Sequence, residues 1–394
     1  MIRNFVRLSL AAAVGALAAS SAMAQGPIKI GVIQTYSGPL AVIGTDASNG
    51  FELYFSEVGN KVAGRTVQLI KEDDAGNPAQ AMERARRLVE REQVNMLAGI
   101  TNSAVAYAMR DYVDGRQTPL VIMGAAGANG ITNERASPYI FRASFTNRQF
   151  NAPFGPYACQ KLGLKKIVLM ASDFVTGKEQ STAFKDTYTQ AGCTVVKEIF
   201  APLGTMDFAP FLSQVPVGQA DSVWAMFFGA DAIAFVKQYE SFGLKAKLKL
   251  VGSAGLADER ILQPIGQSGV GMVAPMFYAY SLDFPANRDF IKAYRAKFNE
   301  IADSVAASGY VAAKMIAAAI EAVDGKIEDK DRFLAALRKV KLATSPMGAV
   351  RFDAKQNIIF DLHASRVELR DGLYIPVVIE KIASDVDQFW QYKK

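Results

Sequence analysis

Short apolar runs alternate along this chain with amphipathic stretches of about ten to fifteen residues. The first part reads as strands at 28–34, 65–72, from Met96 to Ile100 and at 119–123. Helical periodicity fills the gaps at 45–58, at 79–92 and from Ala104 to Met109. Strands that are apolar on both faces, spaced by helices, predict βαβ units around a covered parallel sheet. The pattern then restarts, with helices at 150–161, 178–191 and 231–242 among strands at 166–172, 194–200, 222–227, 249–252 and 271–280. Thr205-Met206-Asp207-Phe208 caps one further helix. Two similar α/β halves predict two lobes.

The last third is less repetitive: helices at 288–300, 305–322 and 330–340, then alternating strands at 349–353, 358–368 and 374–382. The helices are expected on the first lobe and the strands on the second. Lobe one is then 25–144 with 281–348, and lobe two is 145–280 with 349–394. A chain that crosses several times between lobes makes a hinge, and a hinge makes a closing cleft.

A ligand of an open parallel sheet belongs outside the carboxyl ends of its strands. Lobe one collects there Tyr36–Gly38, Thr101-Asn102-Ser103 and Ala125-Ala126-Gly127. Lobe two offers Asp173–Gly177, Phe228-Gly229, Ser253-Ala254 and Met276-Phe277. The Thr101–Ser103 turn leads an apolar strand into a helix, where backbone N–H groups and a hydroxyl suit a carboxylate. The plainer reading is that Asn102 or Ser103 caps that helix. Asp73 and Asp74, before Asn77-Pro78, read as a turn or cap and receive no chemical role.

The chain has 394 residues, half of them apolar, and a net charge of +6. That length exceeds what one core usually supports, in line with two lobes. No basic stripe interleaves with aromatics, which argues against nucleic acid as a partner. Residues 1–24 have a basic start, an apolar run from Leu8 to Ala19, and Ala22-Met23-Ala24 before Gln25. This is the form of a secretory signal cleaved after Ala24. The apolar run is too short to span a bilayer, and no other segment reads as a membrane span.

Export to an oxidising compartment makes Cys159 and Cys193 candidates for a disulfide, though sequence does not give their separation. Two cysteines and the single His363 do not make a structural zinc site. The chain lacks a nucleophile elbow, a Walker loop and a second histidine, which argues against hydrolase, kinase and metalloenzyme readings.

The order of segments resembles the periplasmic solute-binding proteins of branched-chain amino acid type ABC importers. The resemblance is carried by Gly31-Val32 through Ser37-Gly38-Pro39-Leu40, Asp74 with Pro78 and Ala81, and Gly99 through Ser103. Ala125-Ala126, Phe141-Arg142, Asp173 with Gly177, Asp207-Phe208, Gly309-Tyr310, Pro346-Met347-Gly348 and Phe352-Asp353 continue it. It implies an α/β fold of two Rossmann-like lobes with parallel central sheets and a multi-strand hinge, the type I form. It also implies a monomer in the periplasm that delivers a small molecule to ABC permease subunits, with no metal or cofactor.

In the amino acid binders of that family, a serine after the lobe-one strand and an Ala-Ala-Thr loop hold the ligand carboxylate. Ser103 and Ala125-Ala126 match those positions, with Gly127 where threonine stands. A Gly-x-Glu-Gly turn there partners the ammonium; here it reads Gly252-Ser253-Ala254-Gly255, with Ala254 in place of the acid. A buried ammonium without a carboxylate would cost several kcal/mol. Unless Asp173 or another acid reaches in, the resemblance points to an aromatic or apolar acid, with Phe228, Phe174 and Phe277 as the apolar wall.

Tyr36 and Tyr310 stand near the cleft by position or by match, and Arg142 is read as a hinge arginine or a carboxylate partner. A branched-chain or other amino acid is the alternative ligand, and a ligand-sensing module for a separate regulator is the alternative role.

Overall fold

The computed structural model describes residues 26–393, so the expected leader at 1–24 lies outside it. The first sheet is built from β1 (Ile28–Gln34), β2 (Lys61–Val62), β3 (Arg65–Asp73), β4 (Met96–Gly99), β5 (Leu120–Ile122) and β6 (Ile140–Arg142), in the order β2-β3-β1-β4-β5-β6. All neighbours are parallel except the short β2 hairpin on β3. Helices α1 (Ala41–Glu57), α2 (Pro78–Arg86) and α3 (Ser103–Arg116) make the crossovers. Ile28, Ile30, Val32, Met96 and Val121 on one face and Ile33, Leu97, Leu120 and Ile122 on the other are fully or almost fully buried, as a sheet covered on both faces requires.

The second sheet takes β7 (Lys166–Ser172), β8 (Thr194–Ala201), β9 (Ser222–Met226), β10 (Lys249–Gly252) and β11 (Val273–Met276), all parallel. Around it run α4 (Asn147–Pro156), α5 (Val175–Gln190), the single turn α6 (Ala209–Leu212), α7 (Gly229–Ser241) and α8 (Glu259–Ile265). The chain then makes α9 (Pro285–Phe298), α10 (Ser304–Ala322) and α11 (Lys330–Arg338) before β12 (Lys341–Leu342), β13 (Val350–Phe352), β14 (Ile358–Arg370) and β15 (Leu373–Val386). These last strands extend the second sheet to the order β12-β13-β14-β11-β10-β9-β7-β8, with β15 on β14.

Most periodic segments form where the pattern places them. The exceptions have local causes. The strand expected at 271–280 stops at Met276, because the chain turns there into the crossing that leads to α9. The segment before that crossing, which carries no clear period, folds as a 3-10 turn at Ala254–Ala257 followed by α8 with Pro264 inside it.

Helix α10 is long and apolar enough to cross a membrane by length and composition, contrary to the reading that no second segment is. It is mostly buried and packs along α1. Small residues allow this: a Cβ added at Gly50 would fall 1.9 Å from the Ala306 carbonyl oxygen, and one at Gly309 2.0 Å from that of Ala47.

Cys159 and Cys193 form a disulfide, with Cα atoms 5.9 Å apart. Asp73 and Asp74 hold the turn after β3. Asp73 accepts from the backbone N–H of Tyr36 and Ala75, and buried Asp74 accepts from Thr35 Oγ1 at 2.7 Å. His363 lies half-buried in β14, where burial lowers its proton affinity.

Candidate functional site

Strand β4 leaves its sheet through Gly99 at φ +138° and Ile100 at φ +71°, a conformation β-branched residues rarely adopt. The bend carries the chain into the Thr101–Ser103 turn that opens α3. Three contacts draw the next loop beside it: Met123 N–H donates to Gly99 O, Ala126 N–H to Ile100 O, and Ala128 N–H to Ser103 Oγ at 3.1 Å. The two turns expected to act together are therefore adjacent.

A cavity of about 500 Å³ lies between the lobes, within the usual range for small-molecule sites. One wall is α1 and its approach: Gly38, Pro39, Val42, Ile43 and Asp46. Positions 42, 43 and 46 share a helix face, so Asp46 stands one turn beyond Val42. Facing them are Phe228 with Gly229, Ala230 and Ile233 at the start of α7, then Ala254 and Gly255, and Ile261 and Pro264 of α8. Phe145, Phe150 and Phe277, from the crossings and α4, close the space, and Ala125 joins from lobe one. Phe145 lies 5.2 Å from Phe150 and from Phe277, ring centroid to centroid.

Among the described residues no side chain caps α1 or α7, which both begin at this cavity, at Leu40 and Phe228; α7 carries Asp231 in its first turn, bonded to Gly204 N–H. Uncapped first-turn N–H groups favour an anion. Asp258, Arg260, Asp303, Ser304 and Val305 complete the lining with Asp46. Arg260 Nη1 donates to Asp46 Oδ1 at 2.7 Å and pairs with Glu300 at 2.7 Å. Ser304 Oγ donates to Asp258 Oδ2 at 2.9 Å.

Of the residues singled out from sequence, Ala125, Phe228 and Ala254 line this cavity, as does Phe277. Ser103, Ala126 and Gly127 lie next to it in the tied loop, and a Cβ at Gly127 would meet Asn147 Oδ1 at 2.6 Å. That contact gives a steric reason for glycine where the resemblance has threonine.

The others are engaged elsewhere. Thr101 Oγ1 donates to Gln34 Oε1 at 2.6 Å, and Asn102 caps α3 while its Nδ2 donates to Gly76 O. The Tyr36 hydroxyl pairs with Ser48 Oγ at 2.7 Å. Asp173 is exposed and ion-paired with Lys178 at 2.7 Å, and Phe174 packs on the cluster around Phe184 and Trp224. Tyr310 donates to Glu57 on the α1–α10 seam. Arg142, fully buried, donates to the carbonyls of Ala128 and Phe145, which ties the Ala125–Ala128 loop to the first crossing; burial lowers its pKa to about 10.

Sequence reasoning missed Asp46, Asp258, Arg260 and Asp303. Only Asp46 left a legible sign, an acid on the apolar face of an otherwise regular helix. Among the described residues, no group of three His, Cys, Asp or Glu side chains is placed to hold a metal ion.

Comparison with known proteins gives a consistent picture. A family model described as periplasmic binding protein matches residues 27–368. The chain is 35% identical over 373 residues to the Leu/Ile/Val-binding protein homolog 6 of Brucella melitensis, covering 92% of this chain and 93% of that one. A solved ABC transporter substrate-binding protein from Sphaerobacter thermophilus superposes with a TM-score of 0.88 at 38% identity, over 92% of this chain and 99% of that one. An R. palustris ABC transporter solute-binding protein solved with 4-hydroxybenzoate gives 0.86 at 34%, over 92% and 98%.

Proposed function

The chain belongs to the periplasmic binding protein family, as a substrate-binding protein of ABC transporters, and from that premise we propose that its ligand is an aromatic or apolar carboxylic acid rather than an α-amino acid. The observation that carries this reading is the cavity wall. Four phenylalanines, Phe145, Phe150, Phe228 and Phe277, surround the space, and Ala254 also lines it, where the resemblance sets the acid that partners an ammonium in amino acid binders.

The acids that do reach the cavity are poorly suited to an ammonium. Asp46 is committed to Arg260 and Asp258 to Ser304, and burial raises the proton affinity of Asp46, Asp258 and Asp303. Each is already held by a partner, and burial disfavours the charged form that an ammonium would need. The 4-hydroxybenzoate-binding relative supports the same reading.

In this mechanism the ligand carboxylate meets the backbone N–H groups of Ala125 and Gly127, that of Ala126 being given to Ile100 O, and the uncapped start of α7. Ser103 holds that loop in place. The ring fills the space between Val42, Ile43 and the phenylalanines, and closure of the lobes excludes water before delivery to the permease. The single Asp173–Lys178 loop lies on the lobe-two side of this motion.

A thermal-shift and calorimetry panel of benzoate, 4-hydroxybenzoate and a phenylpropenoid acid against leucine, isoleucine and valine tests the proposal, because a ligand stabilises only the state it binds. Stabilisation by the amine-free acids alone is expected. Stabilisation by leucine and not by the acids would replace this reading with the amino acid one, which the Brucella relative's name favours.

A further inference from the structure

Beyond Val42 and Ile43 the cavity ends in a cluster drawn from both lobes. Asp46 comes from α1, Asp303 from the cap of α10 and Glu300 from the turn after α9; Asp258, Glu259 and Arg260 come from the start of α8. Asp46, Asp258 and Asp303 are 0%, 8% and 3% exposed, and all three line the cavity. Five carboxyls thus face one guanidinium, with the hydroxyls of Tyr294 and Tyr278 alongside.

The hydrogen bonds show that the cluster needs protons to be satisfied. Asp46 Oδ1 accepts from Arg260, whereas its buried Oδ2 has no donor among the described residues. Asp303 stands beside it within reach of a carboxyl–carboxyl hydrogen bond, which exists only if one of the two is protonated. Asp303 also accepts from Ala306 N–H at 2.7 Å. Behind them Glu259, fully buried, accepts from Tyr280 N–H, and its Oε2 has no partner among the described residues.

We propose that this cavity binds a proton together with its anionic ligand, the Asp46–Asp303 pair and Asp258 being the groups that receive it. The inference rests on the reading of the ligand as a carboxylate. Burial first, and neighbouring carboxylates next, place Asp258 at about 8. Burial, opposed by Arg260, places Asp46 at about 7. Asp303 and Glu259 are pushed well above the usual carboxylate range by burial and by the same neighbours. In the empty cavity some of these carboxyls are therefore ionised near neutral pH.

A carboxylate entering the same space adds like charge and displaces water, and both effects favour the protonated acids. A group whose pKa rises on binding strengthens binding below its free-state value and weakens it as pH climbs through the bound-state value. Affinity should therefore fall between about pH 7 and 9.

Calorimetry of the purified protein with benzoate, at pH 7.5 in two buffers of different ionisation enthalpy, reads the uptake directly. Benzoate has no group that titrates there, so any proton belongs to the protein. The expected result is a buffer-dependent heat equal to roughly one proton per ligand, with the dissociation constant rising up to about tenfold per pH unit above 7.5. Asp46→Asn should bind with less uptake and a flatter pH profile; Asp258→Asn carries the same expectation should the first variant not fold. Binding with equal heats in both buffers and a pH-independent affinity would overturn the proton-coupled step alone. Failure of benzoate and 4-hydroxybenzoate to bind at any pH would overturn the carboxylate reading, and this inference with it.

Discussion

Gly255 sets the position of Phe228. A Cβ there would lie 2.1 Å from the Phe228 ring, so the ring keeps its place only beside a glycine. Gly255→Ala should displace Phe228 into the cavity and weaken benzoate binding by about 1–3 kcal/mol, the range for overpacking; calorimetry with an unchanged affinity would remove the ring from the site. Ser103 acts at one remove, through Ala128 N–H. Its replacement by alanine frees a buried donor and loosens the loop, with an expected loss of about 1–3 kcal/mol in carboxylate binding. Arg142→Met would leave the carbonyls of Ala128 and Phe145 without their donor, and a lower unfolding midpoint in urea is the expected readout.

At the scale of elements, two joints decide how well the lobes hold their shape. The first is the α1–α10 pair, which packs backbone to backbone at Gly50 and Gly309. Helix α1 also carries one cavity wall, so forcing the helices apart moves Val42, Ile43 and Asp46. Gly309→Ala should destabilise the protein by at least about 2 kcal/mol and weaken ligand binding in the same variant. The second is the Cys159–Cys193 bridge, which fastens the helical turn after α4 to the entry of β8 across a separation of 34 residues. Reduction should remove about 2–4 kcal/mol of stability, read as a shift in urea midpoint, with ligand affinity retained because neither cysteine approaches the cavity.

For the molecule as a whole, the buried carboxyls make stability depend on pH in an unusual direction. Asp46 near 7 and Asp258 near 8 bind protons more tightly folded than unfolded, where a carboxyl titrates near 4. Their contribution is complete below the unfolded value and is lost as pH rises through about 7 to 8. The ligand-free protein should therefore melt at lower temperature at pH 9 than at pH 6, and Asp258→Asn should flatten that slope. An equal slope in the variant would show that other groups set it. Closure itself predicts a smaller radius of gyration in solution scattering when benzoate is added.

The alternation of apolar runs and helical stretches was enough to read two α/β lobes and most of their elements, because strands buried on both faces must be apolar throughout. Ser103 and the Ala125–Gly127 loop were legible for a related reason: turns at the carboxyl ends of parallel strands converge whatever their composition. The 254–265 segment was not legible, since a proline inside a short helix erases the period, and with it went Asp258 and Arg260. Asp303 and Phe145 are separated from Asp46 and Phe228 by long stretches of chain, and local pattern carries no record of such pairing. Sequence thus determined the two α/β lobes and which turns end their parallel strands. Only the tertiary structure decided which side chains share the cavity, because the proton affinity of a carboxyl depends on the neighbours and the water that folding gives it.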